Sequence, residues 1–251
     1  MTITPFERLR NEMSGYMQTS VLAALAELDI GTVILRNCNS LAAAAVAEQC
    51  ACDKRGTEVL LDALSALGYL IKSGNRDSAR YAVADEYTTY LDSRHPSTFI
   101  PLMRHMAGGQ RTWARLTWSV KDGRPQERIP SILGANQDRI SFIMGMNSIA
   151  IHMVEEVMTS LFAAGVLPFA KQDALNPGGM VAVRDYVMQE DRTCPTSGAL
   201  FGINMFINTQ DGRVYTFGEI KEDLETAGFV DVVHAVDVPS MAAVVTARKP
   251  E

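Results

Sequence analysis

The sequence predicts a mainly α-helical protein with an α/β part at its C-terminal end. Apolar residues recur at helical spacing through roughly the first two thirds of the chain. An Asn-Pro-Gly-Gly turn at residues 176–179 then precedes a short apolar, β-rich run. Close to the end, a helical pattern is followed by two further β-rich runs, which predict a pair of strands. Together these observations predict that most of the strands lie late in the chain.

The first third predicts a winged helix-turn-helix. Its first clear apolar stripe at helical spacing consists of Met17, Val21, Leu22, Leu25 and Leu28. Two further helices follow, with Ser40 and Asp53 placed to cap their N-termini and Gly68 placed to end the second. Residues 69–85 then alternate around a turn rich in Gly, Asn, Asp and Ser, which predicts a β-hairpin.

Charge argues against DNA binding by this winged helix. The candidate recognition helix offers two basic residues, Lys54 and Arg55, against Asp53, Glu58 and Asp62. A helix that enters the major groove is normally basic at its start, because phosphates flank it. The whole chain has a net charge of −6 and a pI near 5.3. We therefore expect a structural or dimerising role and no nucleic-acid partner, with a ligand-responsive DNA-binding regulator as an alternative.

The middle of the chain, up to about Phe162, predicts a second helical region. It breaks at the Asp-Gly-Arg-Pro sequence of residues 122–125 and continues as a long helix. That helix carries Phe142, Met144 and Met146. Flexible thioethers and an aromatic ring suit an adaptable apolar pocket, and packing between helices is the alternative for each of them.

The last part predicts alternating helices and strands. A helix is expected across residues 198–208. Thr216 and Glu219 form a capping box that opens a second helix, and Gly228 ends it. Asp185 follows the first strand of this part, where a solvated or turn-capping role is expected over contact with a substrate.

Cysteine and histidine spacing argues against metal binding. Cys38, Cys50, Cys52 and Cys194 form no disulfide framework and lack the C-x-x-C spacing, which indicates free thiols in a reducing cytoplasm. The four histidines are scattered, without the H-E-x-x-H spacing. No apolar run approaches the ~20 residues of a membrane span, so we expect a cytoplasmic protein with no membrane partner.

Several segments, in order, resemble the S-adenosylmethionine (SAM)-dependent O-methyltransferases. They are EVLLDALSALGYL (58–70), MRHMAGGQRTWARLTWSVKDGRP (103–125), LNPGGMVAVRDYVMQEDRT (175–193), NMFINTQDGRVYTFGEIKEDLETAGF (204–229) and VVTARKP (244–250). The nearest type is the bacterial small-molecule kind that dimerises through a winged-helix domain. The resemblance covers nearly the whole chain.

The resemblance implies a domain order, a reaction and a pocket. The expected parts are a winged-helix dimerisation domain over 1–92, a helical connecting and substrate-pocket region over 93–162, and a Rossmann-like methyltransferase α/β domain over 163–251. The implied activity is methylation, with SAM as cofactor, of a hydroxyl on a small acceptor of aromatic or polyketide-like type, by a homodimer. The positions that match the family's substrate-lining residues are Trp113, Phe142, Met146, Asn147, Asn204 and Met205.

The parts with which the family holds SAM and removes the acceptor's proton have no counterpart in this sequence. SAM is held by a glycine-rich turn after the first strand and by an acidic residue after the second strand. The base is a histidine before the penultimate helix. Thirteen residues separate Phe162 from Asn176, whereas each strand-helix-strand step needs ~30 residues. We therefore expect a truncated Rossmann-like domain, assign no catalytic or cofactor-binding residue, and expect impaired methyl transfer.

Three interpretations follow from this gap. The chain is an incomplete representative of an ordinary O-methyltransferase, or a non-catalytic dimeric small-molecule-binding or partner protein derived from that family, or the winged-helix regulator named above.

Overall fold

The computed structural model describes residues 3–75, 78–163 and 175–251, with side chains for all of these except 151–163. The chain forms two compact units, Met1–Arg111 with Ile129–Ile149 and Thr112–Arg128 with Ala150–Glu251. The domain boundaries expected after residues 92 and 162 stay predictions. The segment 163–175, for which at most one helix was expected, lies almost entirely outside the described residues.

The elements follow the order expected from the sequence, with short helices added. The helices are α1 (Pro5–Ser14), α2 (Tyr16–Glu27), α3 (Ile30–Arg36), α4 (Ala43–Gln49), α5 (Lys54–Ala66), α6 (Ile100–Trp113), α7 (Leu116–Asp122), α8 (Ala135–Ala163), α9 (Thr196–Asn208) and α10 (Phe217–Thr226). The strands are β1 (Leu70–Ser73), β2 (Arg80–Val83), β3 (Met180–Asp185), β4 (Val187–Met188), β5 (Tyr215–Thr216), β6 (Val230–Val236) and β7 (Ala243–Arg248). A helical N-terminal region with a C-terminal α/β part is thereby confirmed.

The first unit packs its short helices and the β1–β2 hairpin around one apolar core. Its largest fully buried side chains include Leu25, Ile34, Leu61, Leu64 and Tyr81. The Tyr81 hydroxyl donates to Asp62 Oδ1 at 2.6 Å, so the buried ring has a partner for its one polar atom. Burial of this apolar stripe stabilises helices that are too short to be stable alone.

Two of the three expected helix signals in this unit are confirmed. Asp53 caps α5 by accepting from the Gly56 backbone N–H at 2.8 Å, and Gly68 lies at φ 84°, where a left-handed residue ends the helix. The expected cap at Ser40 is wrong, because α4 begins only at Ala43. Leu41 instead forms a β-bridge with Tyr81.

The second unit is built on the three-stranded sheet β3-β7-β6. β7 is antiparallel to both neighbours, in register Val183↔Val245 with β3 and His234↔Val245 with β6. The two expected C-terminal strands are confirmed as a pair, but β7 lies in the middle of the sheet and β6 at its edge. Residues 243–247 of β7 are buried, because side chains cover a central strand on both faces.

α9 and α10 of the second unit are both expected from the sequence, although α9 begins at Thr196 rather than at Gly198. α9 contains the expected stretch, and α10 opens with the Thr216–Glu219 capping box. In this box the Glu219 backbone N–H donates to Thr216 Oγ1 at 3.3 Å, and the Thr216 N–H donates to Glu219 Oε2 at 2.9 Å. Gly228, at φ 87°, follows the end of α10.

Within the described residues, no single helix has both the length and the apolar content to cross a membrane. One pair bent by 51°, Pro5–Glu27 with Ile30–Arg36, passes that test by length and composition only.

Candidate functional site

The six expected pocket residues divide equally between the two units. Phe142, Met146 and Asn147 belong to the first unit, and Trp113, Asn204 and Met205 belong to the second. Each group has a definite local setting. The assignment of the six to one pocket stays a prediction.

The first group lies on α8, beside the face that packs against α6. That face includes Ser141, which is buried, and Gly145, where a Cβ would come within 3.0 Å of Leu102 Cα. The Phe142 ring lies 5.0 Å from the ring of His105 and its residue is 48% exposed. Next to it Met146 is half-buried and Asn147 is exposed. Phe142 is therefore not a core residue of this unit, which leaves its apolar surface available.

The second group is held by hydrogen bonds around Asn204 on α9. Trp113 Nε1 donates to Asn204 Oδ1 at 3.2 Å. Asn208 Nδ2 donates to the same oxygen at 3.1 Å and to the Asn204 carbonyl at 2.9 Å. Arg128 Nη2 in turn donates to Asn208 Oδ1 at 3.4 Å. Met205, the next residue along α9, is half-buried. Trp113 and Asn204, which the sequence predicts as pocket residues, are in direct contact.

Asn208 and Arg128 are not among the residues expected from the sequence. Asn208 lies four residues after Asn204, so both side chains lie on one face of α9. That spacing was the available signal. Arg128 follows α7 in an irregular segment, and no local pattern marks it as a partner of α9.

Asp185 at the end of β3 has a partly buried carboxylate. Its Oδ1 accepts from the adjacent Tyr186 backbone N–H at 2.7 Å. Burial raises the pKa of this carboxyl above its ordinary value of 3.8, and the Tyr186 hydrogen bond opposes that rise. The residue is half-buried. The solvated or turn-capping role expected for it stays a prediction.

Two further features of the second unit lie apart from the expected pocket residues. The His234 ring stacks on Phe217 with ring centroids 5.6 Å apart, and its buried Nε2 has no hydrogen-bond partner within the described residues. An open cleft of about 500 Å³ is lined by Leu175, Ala227, Gly228, Phe229, Lys249 and Pro250. The charged residue that lines this cleft is Lys249, and its Nζ donates a hydrogen bond to the Leu175 carbonyl at 2.8 Å.

The four cysteines are free thiols. Burial raises the pKa of the Cys50 thiol to about 11, so it stays protonated at neutral pH. Across the described parts of the chain, no three His, Cys, Asp or Glu side chains are grouped closely enough to hold a metal ion.

Residues 11–93 match the family model of the O-methyltransferase dimerisation domain. This part of the chain is similar to an O-methyltransferase dimerisation domain. It begins within α1 and extends beyond the β1–β2 hairpin, so it contains the whole winged-helix core described above. The match supports the dimerising role expected for the winged helix.

Two curated relatives each match part of the chain. The tetracenomycin polyketide synthesis 8-O-methyl transferase TcmO of Streptomyces glaucescens is 40% identical over 78 residues, which are 31% of this chain and 22% of TcmO. Acetylserotonin O-methyltransferase of Rattus norvegicus is 29% identical over 152 residues, which are 56% of this chain and 34% of the rat protein. The chain thus spans half or less of the length of the curated relatives that it matches.

Solved structures share the fold that carries the dimerisation domain. The crystal structure of human N-acetylserotonin methyltransferase in complex with SAM aligns with a TM-score of 0.76 at 19% identity, over 98% of this chain and 98% of that one. At this identity the likeness establishes the fold, a methyltransferase fold with a helical N-terminal region. Because the alignment runs along nearly the whole of both chains, it does not support the expectation that the α/β domain is truncated.

Proposed function

We propose that this chain is a homodimeric protein of the SAM-dependent O-methyltransferase family with a pocket for a small hydroxyl-bearing acceptor. We further propose that it is impaired in methyl transfer because the part that holds SAM is reduced. The match of residues 11–93 to the dimerisation domain carries the proposal of family and dimer. The arrangement of the described sheet carries the proposal of impairment.

The N-terminal helices present an apolar surface suited to a second subunit. Large apolar side chains that are 54–76% exposed line one side of α1 and the start of α2, namely Phe6, Leu9, Met13, Tyr16 and Met17. An apolar stripe of this size on a water-facing helix is unfavourable unless a partner covers it. A symmetric pair of copies covers the same stripe on both, which supports a homodimer.

The relatives support the acceptor class. TcmO is named for an 8-O-methyl transfer in polyketide synthesis, and the rat relative for O-methylation of acetylserotonin. Both names describe methylation of an oxygen. In this chain, the Trp113 indole and the Asn204 amide lie in contact, which offers an apolar face beside a polar anchor for an acceptor.

The sheet supports the impairment. Within the described residues, β3 has one hydrogen-bonded neighbour in its sheet, β7, and its side chains are mostly half-buried. A strand in the interior of a doubly covered parallel sheet is normally buried on both faces. Thirteen residues between Phe162 and Asn176 leave no room for further strand-helix-strand steps of ~30 residues each. Methyl transfer needs the sulfonium carbon of SAM held in line with the attacking oxygen.

Calorimetric titration of the 251-residue chain with SAM, and separately with S-adenosylhomocysteine, tests the impairment. We expect no binding of either compound by protein that circular dichroism shows to be folded and sedimentation shows to be dimeric. Micromolar binding of either one would restore the ordinary methyltransferase interpretation, in agreement with the end-to-end structural alignments. Absence of binding would leave the second interpretation, a non-catalytic dimer that binds a small molecule or a partner.

A cytoplasmic location belongs to the same proposal. The four free thiols fit a reducing compartment.

A further inference from the structure

Two of the four cysteines are separated by a single residue in the turn between α4 and α5. The residue between Cys50 and Cys52 is Ala51, which lies at φ 52°, in the left-handed region. The distance between the Cα atoms of residues i and i+2 depends on the φ and ψ of the middle residue. In a helical turn of either hand this distance is about 5.4 Å, and disulfides join Cα atoms that are about 4.4–6.8 Å apart. The backbone therefore holds the two cysteines at a separation that suits a disulfide.

The end of α4 fixes this conformation. Cys50 caps the helix, and the Cys52 backbone N–H donates to the Ala47 carbonyl at 2.8 Å, which closes the last turn. An alanine is unfavourable in the left-handed region, so Ala51 adopts this conformation because its surroundings impose it. The separation of the two cysteines is therefore a property of the fold.

Both thiols are half-buried, and the hydrogen bonds that they donate are weak. Cys52 Sγ donates to the Cys50 carbonyl oxygen at 3.2 Å, and Cys50 Sγ donates to the Leu28 carbonyl oxygen at 3.5 Å. Because a thiol is a weak donor, replacing these contacts by a sulfur–sulfur bond gives up little.

The surroundings of Cys50 give the two thiols different parts in an exchange with a disulfide. Burial raises the pKa of the Cys50 thiol to about 11, and the neighbouring Cys52 and Asp29 add to the rise. Only a thiolate attacks a disulfide. At neutral pH the first attack on an external disulfide therefore belongs to Cys52, and Cys50 reacts second.

We propose that Cys50 and Cys52 form a dithiol modification site, which a small disulfide such as glutathione disulfide converts into an internal disulfide. The Cys52 thiolate attacks one sulfur of glutathione disulfide. A Cys52–glutathione bond forms, and one glutathione leaves and takes up the proton that Cys52 gave up. The Cys50 sulfur then attacks the Cys52 sulfur, and the second glutathione leaves and takes up the Cys50 proton.

The exchange is balanced in electrons and atoms. The two cysteine thiols together lose two electrons, and one glutathione disulfide becomes two glutathione thiols. The site lies in the first unit. It goes beyond the proposed function and does not depend on the acceptor pocket.

Peptide mapping of the full chain tests the site. Folded protein is incubated with excess glutathione disulfide, the remaining thiols are alkylated, and the chain is cut after glutamate. This cut releases residues 49–58, in which Cys50 and Cys52 are the only cysteines. We expect this peptide to lose two hydrogens and to take up no alkylating agent. Conversion of the glutathione adduct to the internal disulfide should become about tenfold faster per pH unit between about pH 7 and 9, with the ionised fraction of Cys50. Alkylation of both cysteines, or a conversion rate that is independent of pH, would overturn the proposal.

Two matched variants separate the parts of the two thiols. Cys50→Ser should keep a stable glutathione adduct on Cys52, because the second sulfur is missing. Cys52→Ser should take up glutathione on Cys50 about tenfold more slowly than Cys50→Ser does on Cys52. Cys38 and Cys194 are exposed and serve as reference thiols in the same digest. Equal uptake by the two variants, or a disulfide from Cys50 or Cys52 to one of the reference thiols, would contradict the assigned pair.

Discussion

Two aspartates of the second unit show how the immediate surroundings of a residue set its charge state. The Asp185 carboxyl is partly buried at the end of β3, and that burial raises its pKa above 3.8. The Asp191 carboxyl, a few residues later, accepts from the Thr193 backbone N–H and hydroxyl at 3.0 Å, and these hydrogen bonds lower its pKa. The residue type is the same, and the difference comes from desolvation in one case and from donated hydrogen bonds in the other.

The raised pKa of Asp185 predicts a pH-dependent gain from Asp185→Asn. In the wild type, ionising this carboxyl in the folded state becomes unfavourable as the pH rises from 3.8 through the raised folded pKa, so the free energy of unfolding falls there. Asparagine keeps the oxygen that accepts from Tyr186 and carries no charge. The variant should be more stable than wild type at pH 7, and the difference should vanish near pH 3.

Tryptophan fluorescence during urea unfolding measures the free energy of unfolding of the second unit, which contains Asp185. Trp113 and Trp118 both lie in that unit. Asp191→Asn is the matched control with the opposite sign. In the wild type, the pKa of the Asp191 carboxyl is lower in the folded state than the ordinary value of 3.8, so this group stabilises the fold above pH 3.8. That contribution is lost as the pH falls through the pKa of the folded state. An Asp185→Asn variant that gains nothing at pH 7 would contradict the desolvated state of this carboxyl.

At the scale of the helices and strands, elements with a cap or a long apolar pattern were predictable from the sequence. α5 and α10 carry side-chain caps, and the β1–β2 hairpin has a turn-rich connection. The short α3 was not predicted. Asp29 before it makes no capping hydrogen bond and lies at φ 55°, so the usual sequence rule for a helix start does not apply there. Ser40 looked like a cap, but a β-bridge at the next residue controls the backbone there, which is a tertiary effect.

The candidate site was predictable to a similar extent. Trp113 and Asn204 were expected as pocket residues and are hydrogen-bonded to each other. Asn208 and Arg128 were not expected, since their role depends on which side chains meet in three dimensions. Donor and acceptor directions at Asn204 are properties of that meeting and leave no pattern in the sequence.

The short α3 depends on a close approach that only glycine permits. A Cβ at Gly31 would lie 2.3 Å from the Leu91 carbonyl oxygen, which is backbone and cannot move aside cheaply. Gly31→Ala should therefore lower the free energy of unfolding of the first unit by about 2 kcal/mol or more. Gly109→Ala, inside α6 with nothing within 4 Å of the added carbon, should raise it by about 0.5–1 kcal/mol.

Urea unfolding followed by far-UV circular dichroism, at one fixed protein concentration, compares the two variants. Both changes add the same methyl group to a helical glycine, so intrinsic helix propensity favours both equally. Equal stability of the two variants would show that α3 does not hold Gly31 against Leu91.

At the scale of the whole molecule, the dimerisation domain predicts how the chain assembles. Leu9 is 64% exposed in the apolar stripe of α1 and α2. A carboxylate at this position would have to lose its water on association, so Leu9→Glu should weaken dimerisation by about tenfold or more. Asn11 lies on the other side of α1 and is exposed, and Asn11→Glu is the control with the same added charge.

Sedimentation equilibrium at micromolar protein concentration measures both variants beside the wild type. We expect a dimer for the wild type and for Asn11→Glu, and a large monomer fraction for Leu9→Glu. A monomeric wild type would refute the homodimer, and a Leu9→Glu dimer of unchanged affinity would place the interface elsewhere.

The central position of β7 also determines when each unit can fold on the ribosome. Within the described sheet, β3 and β6 each pair with β7 and not with each other. Both are therefore synthesised before the strand that joins them, and they remain unpaired in the nascent chain until residues 243–248 emerge. The β1–β2 hairpin of the first unit joins strands that are close in sequence, so that unit closes early. The dimerisation domain thus becomes available for pairing with another chain while the second unit is still being made.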